Sequence, residues 1–297
     1  MRVAAPDSSD GADSPAQGFV PIKNRPPDQS TEPAANIVSP DAFCLVRFGL
    51  RDANDPRILN TVKVVDALLK VETPFGPAWH RYNDDGYGEH EDGSPFDGTG
   101  IGRAWPLLTG ERAFYELAAG HLEEAVRLRQ ALEAFANEGG MLPEQVWDAE
   151  DIPERELYCG RASGSAMPLG WAHAEYIKLL HSLKDRRIFD LPQQTVQRYL
   201  VDKTVSPFAI WRPNNKVRTI PAGKDLRVEA LQPFSLAWSS DEWKTRNNIQ
   251  SVDTGLGVYC ADVAASRLAV GSSLVFTFYW QDSQNWEGTN YEVIIIN

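Results

Sequence analysis

The apolar residues of this chain change their spacing near Thr204, from a period of about 3.6 residues to a period of about 2. The longer period places apolar side chains on one face of a helix, whereas alternation is typical of a strand with one buried face. The two halves therefore need different kinds of layer to bury their apolar residues. The switch predicts an α+β multidomain chain, with helices before Thr204 and a small β-sandwich over 205–297.

Several helix starts before Thr204 are marked by a capping residue followed by proline. Ser39 precedes Pro40, and Asn54 or Asp55 is the candidate cap before Pro56, so a side-chain oxygen can cap each first turn while proline occupies its first position. We predict an antiparallel pair of helices there, and a break or kink at Pro106 further on. Later helices are predicted over about 111–137, 163–183 and 192–201.

The first 36 residues hold six prolines together with many Asp, Ser and Gln residues, and they show no apolar period. This composition predicts an extended or disordered segment over 1–36, followed by the helical part over 37–204. The opening residues lack the apolar core of a signal peptide, and no apolar run approaches the length of a membrane span. The compartment stays open, because an upstream part could have carried a leader.

Length and charge limit the classes of partner. A chain of 297 residues can bury a full core and form two domains. Its formal net charge of -12 argues against nucleic acid and anionic membranes, which require a positive surface, whereas a neutral ligand is indifferent to it. The three cysteines are scattered and odd in number, so they predict no disulfide framework and no metal spacing.

Two loops of the helical part concentrate aromatic and charged side chains. One covers residues 79–93 and mixes aromatic rings, carboxylates, an arginine and three glycines, a composition unsuited to a helix or strand. The other covers residues 141–148, where Glu144 lies between Pro143 and Trp147. Aromatic faces bind pyranose rings, and the sugar hydroxyls need charged acceptors and donors. The two loops therefore predict the rim of a sugar pocket.

Each of these side chains has an ordinary alternative role. Glu144 could act as a general base beside an apolar wall, or it could be a solvated loop glutamate. Arg81 could clamp ligand hydroxyls, or it could pair with Asp84 or Asp85. Trp105 could form a pocket wall or belong to the core. Spacing alone does not separate these alternatives.

Carboxylates and a histidine cluster in and just after the first loop, which raises the question of a metal site. The residues are Glu89, His90, Glu91, Asp92 and Asp97. They lack the alternate-residue ligand order of a calcium loop, so solvated or hydroxyl-binding side chains are favoured. The chain also has no phosphate-binding loop, no nucleophile elbow and no zinc spacing.

Four segments carry a family resemblance. They are RYNDDGYG at 81–88, GRAWPLLTGER at 102–112, LPEQVWD at 142–148 and GSAMPLGWAHAEY at 164–176. In this order they resemble bacterial glucoamylase and glucodextranase, the family 15 glycoside hydrolases. The resemblance covers most of residues 20–297, counting a C-terminal β domain like the one attached to some bacterial members.

The resemblance implies an (α/α)6 toroid, the six-hairpin glycosidase fold, with a dead-end pocket formed by loops at one end. Members are exo-acting, inverting α-glucosidases that release β-D-glucose from the non-reducing ends of α-glucans, and they use no cofactor or metal. Glu144 matches the catalytic base. Arg81 and Tyr82 match a loop that contacts the terminal glucose. Trp105 and Trp147 fall where aromatic pocket walls are expected.

The chain departs from the family at the catalytic acid, which in the family lies upstream of the matching part. About five or six helices are predicted before the β domain, whereas six inner and six outer helices close the toroid. We therefore expect a partial toroid that lacks the acid and exposes apolar stripes of its inner helices. It is a fragment of the enzyme, a non-catalytic carbohydrate-binding remnant, or a subunit that pairs with a separately encoded N-terminal half. Specificity for α-1,4 or, as in glucodextranase, α-1,6 links stays open.

Overall fold

The computed structural model describes residues 16–297. Apart from its first residues, this part of the chain forms two compact units, residues 19–204 and residues 205–297. The first unit carries the helices, and the second is built almost entirely of strands. Each has a hydrophobic core of its own. Within the described range, no helix combines the length and the apolar character that crossing a membrane requires.

A β-hairpin opens the first unit. Its strands β1 (Phe19–Pro21) and β2 (Thr31–Pro33) pair antiparallel, and Val20 and Ile22 contribute to a small buried cluster. Residues 1–36 were predicted to be extended or disordered, and the described part of this segment includes two extended strands that pair with each other. The remainder of that prediction, residues 1–15, lies outside the described residues.

Two helices and a second hairpin follow. They are α1 (Ala42–Arg47), α2 (Pro56–Leu69), β3 (Lys70–Thr73) and β4 (Gly76–Trp79), with the two strands antiparallel. The side chain of Asp55 accepts a hydrogen bond of 2.9 Å from a backbone N–H in the first turn of α2. The predicted capped start of this helix is therefore confirmed.

The next two helices replace the single long helix that was predicted over about 111–137. They are α3 (Pro106–Ala118) and α4 (Leu122–Ala134). That prediction was wrong because Gly120 adopts a φ of +84°, a left-handed conformation that ends a helix and that glycine adopts without strain. Pro106 does not break a helix; it occupies the first turn of α3, where its missing N–H has no partner to lose.

The last helices of the first unit are α5 (Gly170–Asp185), the short α6 (Gln193–Thr195) and a π-helical turn over Val196–Val201. Helix α5 begins later than predicted because an irregular loop precedes it. One apolar face of α5, with Ala172 and Leu179, is buried, whereas Trp171 is 58% exposed and Ile177 is 56% exposed. The expected exposure of apolar helix faces is thus present on α5.

The second unit contains two sheets. Its strands are β5 (Phe208–Trp211), β6 (Thr219–Pro221), β7 (Asp225–Ala230), β8 (Phe234–Ser239), β9 (Asn247–Gln250), β10 (Val252–Asp253), β11 (Tyr259–Val263), β12 (Ser273–Trp280), β13 (Asn285–Trp286) and β14 (Tyr291–Ile296). One sheet has the order β10-β11-β7-β5, and the other has the order β6-β14-β12-β8-β9 with β13 beside β12. Alternate residues of β7 and of most of β12 are buried, and side chains from both sheets share one core.

Candidate active site

Two backbone hydrogen bonds hold the loop between β4 and α3 in a defined conformation. The N–H of Trp105 donates to the carbonyl of Trp79 at 2.9 Å, which closes the loop at its base. Nearer the tip, the N–H of Gly102 donates to the carbonyl of Asp85 at 2.7 Å. A Cβ at residue 102 would lie 2.5 Å from the Cβ of Asp85, so the crossing requires glycine. The polar side chains of residues 81–89 are therefore held on a fixed frame.

Arg81 is fixed by Asp85 within this frame. Its Nε and Nη2 donate to the two carboxylate oxygens of Asp85, each at 2.8 Å. The guanidinium carbon lies 5.0 Å from the ring centroid of Trp105 and 5.1 Å from that of Tyr87. Of the two pairings considered from the sequence, the structure has Arg81 with Asp85. A bidentate pair that stacks on aromatic rings gives the arginine one defined position.

Glu144 lies beside this arginine and its aromatic neighbours. The hydroxyl of Tyr87 donates to Oε2 of Glu144 at 3.3 Å, and the charge of Glu144 also acts on Arg81. Burial, followed by the charge of Glu144, raises the pKa of Tyr87. The backbone N–H of Glu144 donates to the carbonyl of Ala166 at 2.8 Å. The carboxylate is half-buried and held by its neighbours, unlike a free loop glutamate.

Trp105 and Trp147 have different positions. Trp105 is 5% exposed and lies under Arg81 at the edge of the site. Trp147 is 0% exposed, Arg103 covers its ring at 4.0 Å, and its Nε1 donates to the carbonyl of Glu150 at 2.7 Å. Trp147 is therefore buried beneath Arg103, and its place in a pocket wall, which the family resemblance implies, stays a prediction.

Asp148 connects the segment around Trp147 to the residues just before α3. One of its oxygens accepts from Arg103 Nη1 at 3.1 Å, and the other accepts from the N–H of Ala104 at 2.8 Å. The N–H of Val146 in turn donates to the carbonyl of Ala104 at 2.9 Å. The segment that carries Glu144 is thus fixed to the loop that carries Arg81. Sequence reasoning missed Asp148, although its place just after Trp147 was a usable signal.

Tyr82 is half-buried on a different side of Arg81. It packs against the small cluster of the first hairpin, which includes Val20 and Ile22. Burial, followed by the charge of Asp85, raises the pKa of its hydroxyl. The structure brings Arg81, Trp105 and Glu144 together, whereas Tyr82 mainly joins the site to the hairpin.

A cavity of about 550 Å³ is bordered by Tyr87, the residue whose hydroxyl donates to Glu144. Its lining includes Tyr87, Glu89, Phe96, Gln145 and Ser165. Within residues 16–297, no three His, Cys, Asp or Glu side chains are arranged to hold a metal ion. The lining combines aromatic rings, hydroxyls, one amide, the buried carboxylate of Glu89 and the charged side chains of Arg155 and Glu156, which suits a polar ligand.

Comparison with known proteins identifies the family. The model of "Glycosyl hydrolases family 15" matches residues 23–181, which is more than half of the chain. The chain belongs to glycoside hydrolase family 15. A glucoamylase of Clostridium sp. (strain G0005) is 48% identical over 164 residues, which cover 55% of this chain and 22% of that protein.

The crystal structure of a bacterial glucoamylase complexed with acarbose matches the fold of this family 15 chain. The TM-score is 0.56 at 45% sequence identity, and the match covers 63% of this chain and 26% of that one. This chain thus spans about a quarter of the length of the relatives that it matches. The helical unit containing Glu144 is the part of the chain that the family model covers.

Proposed function

We propose that this chain is the part of an exo-acting, inverting α-glucosidase that carries the catalytic base. The whole enzyme releases β-D-glucose from the non-reducing ends of α-glucans. In this proposal residues 37–204 are the C-terminal part of an (α/α)6 toroid, and residues 205–297 are a β-sandwich. The observation that carries it is the position of Glu144, whose carboxylate accepts from Tyr87 beside the Arg81–Asp85 pair.

The arrangement suits a general base acting on water. A base must be ionised and held rigidly, and Tyr87 supplies a hydrogen bond to one oxygen of Glu144 while leaving the other oxygen for water. The Arg81 guanidinium, which lies 5.1 Å from the Tyr87 ring centroid, offers hydrogen-bond donors to sugar hydroxyls. Trp105, under the guanidinium, supplies an apolar wall. No cofactor or metal takes part in this chemistry.

Inverting hydrolysis also needs a carboxylic acid about 6.5–9.5 Å from the base, to protonate the leaving oxygen. Two buried carboxylates near Glu144 are poorly suited to that role. Asp85 accepts both hydrogen bonds of Arg81, and Asp148 accepts from Arg103 and a backbone N–H, so the oxygens of both carboxyl groups are already engaged within the protein. We propose that the acid belongs to a part of the toroid outside this chain. Alone, the chain then loses a rate factor on the order of 10²–10⁴.

A hybrid enzyme tests the role of Glu144. The part of the Clostridium glucoamylase that precedes its matching region is joined to residues 23–297 of this chain, and glucose release from maltodextrin is measured. We expect activity in the hybrid, a loss of at least about 10²-fold in Glu144→Gln, and no change in Glu138→Gln, an exposed control. The first-formed product, read by NMR, should be β-D-glucose. An active hybrid that tolerates Glu144→Gln would refute the proposal.

The exposed stripe of α5 favours a second candidate, a subunit that completes its ring with a separately encoded N-terminal half. Trp171 and Ile177 give that helix an apolar face of the kind that partner helices cover. Co-expression with an adjacent reading frame encoding the missing helices tests this candidate. Recovery of a complex with glucose-releasing activity supports it, whereas the absence of such a frame favours a fragment or a non-catalytic remnant.

The linkage specificity is tested on the active form with two disaccharides. Maltose contains an α-1,4 link and isomaltose an α-1,6 link, and the base chemistry is the same for both. Preference for maltose by kcat/KM is the expected result for a glucoamylase. Preference for isomaltose would assign the glucodextranase alternative.

A further inference from the structure

Helix α5 and the residues that lead into it hold the backbone just before Glu144. The N–H of Leu142 donates to Nε2 of His173 at 3.0 Å, and the carbonyl of Leu142 accepts from the N–H of Leu169 at 2.9 Å. We propose that His173 is a positioning residue for Glu144, which it holds in place through Leu142 and through one fixed tautomer of its ring. The inference rests on the proposed function, in which Glu144 is the catalytic base.

The hydrogen bond from Leu142 determines which nitrogen of the His173 ring carries a proton. A peptide N–H can only donate, so Nε2 presents a lone pair and the proton of the neutral ring lies on Nδ1. Leu142 is 3% exposed, so water has little access to its N–H, and leaving a buried donor unpaired is costly. The Nδ1–H tautomer is therefore the one that this backbone requires.

Pro143 carries the effect of this anchor from Leu142 to Glu144. The proline ring fixes its own φ and restricts the backbone of the residue before it, so the two residues form a stiff pair. Because Pro143 has no N–H, the N–H of Leu142 is the last backbone donor before Glu144. Beyond Glu144, the N–H of Gln145 donates to Oγ of Ser165 at 2.9 Å. The base is thus held from both sides, and a displacement of about 1 Å can cost a catalytic group on the order of 10²-fold in rate.

Nitrogen NMR of the full chain tests the tautomer without any need for turnover. Spectra are recorded at about pH 8, where an ordinary imidazole is neutral. We expect His173 to show a protonated Nδ1 and an unprotonated Nε2, because the N–H of Leu142 occupies the lone pair of Nε2. His181, on an exposed face of the same helix, should show a mixture of the two tautomers. A proton on Nε2 of His173 would overturn the proposal.

Hydrogen exchange in the full chain separates the loss of the acceptor from the loss of the ring. His173→Gln places an amide oxygen near the position of Nε2, whereas His173→Leu removes the acceptor. We expect exchange at the Leu142 amide to be about 10-fold faster or more in His173→Leu and close to the parent in His173→Gln. The control His181→Leu should leave it unchanged. If His173→Leu does not fold, His173→Asn, whose amide is too short to reach Leu142, takes its place. Parental exchange in the variant without the acceptor would exclude the anchor.

The hybrid enzyme described above tests the catalytic consequence. We expect His173→Leu to lower kcat by about 10- to 10²-fold while KM stays within about 2-fold, because the anchor acts on the base and not on glucan binding. His173→Gln should recover most of the rate. A parental kcat in His173→Leu, together with loss of activity in Glu144→Gln, would refute the positioning role and leave the base in place. If Glu144→Gln keeps full activity, the proposed base fails, and the exchange data alone decide whether His173 anchors Leu142.

Discussion

Asp85 binds both Nε and Nη2 of Arg81 and also accepts from the backbone N–H of Tyr87 at 3.1 Å. Replacing it by Asn leaves the arginine without its charged partner and removes at least one of these bonds. We expect Asp85→Asn to lower the free energy of unfolding by about 1.5–3 kcal/mol in urea titrations. Asp84→Asn changes an exposed neighbour and should cost less than about 1 kcal/mol. Equal losses in the two variants would contradict this reading of the pair.

At the scale of single residues, the sequence predicted types of side chain better than their partners. The position of Glu144 between Pro143 and Trp147 was visible, and the pairing of Arg81 with an aspartate was one of two stated alternatives. The hydroxyl of Tyr87 that holds Glu144 lies 57 residues away in the chain, and only the closed loops bring it there. The full burial of Trp147 likewise depends on Arg103, which covers it from another segment.

Helices α1, α3 and α5 are joined by one buried arginine. Arg47 pairs with Glu111 at 2.6 Å, with Glu175 at 2.6 Å and with Asp190 at 2.6 Å. Burial raises the pKa of Glu111, Arg47 opposes this, and the charge of Glu175 raises the pKa further. At Glu111, the cost of burying the charge therefore outweighs its pairing with Arg47.

The sign of the Glu111 pKa shift gives a pH dependence. A carboxyl whose folded pKa is raised contributes stability below its ordinary value of 4.5, and that contribution is lost as pH rises toward the folded pKa. Glu111→Gln has no ionisable group at this position, so the variant cannot lose that contribution to stability. The free energy of unfolding of the variant, relative to the parent, should therefore increase as pH rises above about 4.5 in urea titrations. A flat difference, as expected for the Glu123→Gln control on α4, would contradict this account.

Helix α5 has two apolar faces with different roles. Leu179 is fully buried, so Leu179→Ala should cost about 2–5 kcal/mol of unfolding free energy. Ile177 and Trp171 face solvent, so replacing both by Gln should change stability by no more than about 0.5 kcal/mol each. Light scattering should instead show less self-association of that double variant. Strong destabilisation by the Gln substitutions would mean that the exposed face packs within the unit.

Among the elements, the predictions failed where one backbone angle decided the outcome. Spacing alone ran a single helix through Gly120, because the apolar residues on both sides keep the helical period. The start of α2 was predictable because Asp55 caps it locally. On α5 the period marked a helix correctly, but it could not tell which apolar face has a partner within this chain.

At the scale of the whole molecule, the change of period near Thr204 was the most informative sequence signal. It separated a helical unit from a strand unit, because burial in helices and in sheets imposes different spacings. The order of strands in the two sheets was not predictable. Neighbours such as β14 and β6 are parallel and lie far apart in sequence, so their pairing depends on closure of long connections.

The strand unit should fold when residues 205–297 are produced alone. Its core joins Trp211 of one sheet with Phe276 and Phe278 of the other, and the ring centroids of Trp211 and Phe276 lie 5.2 Å apart. We expect a single cooperative urea transition, followed by tryptophan fluorescence. Phe276→Ala should lower its unfolding free energy by about 3–5 kcal/mol, because it empties the centre of that core. A non-cooperative transition, or an unchanged midpoint in the variant, would mean that this core does not stabilise the unit by itself.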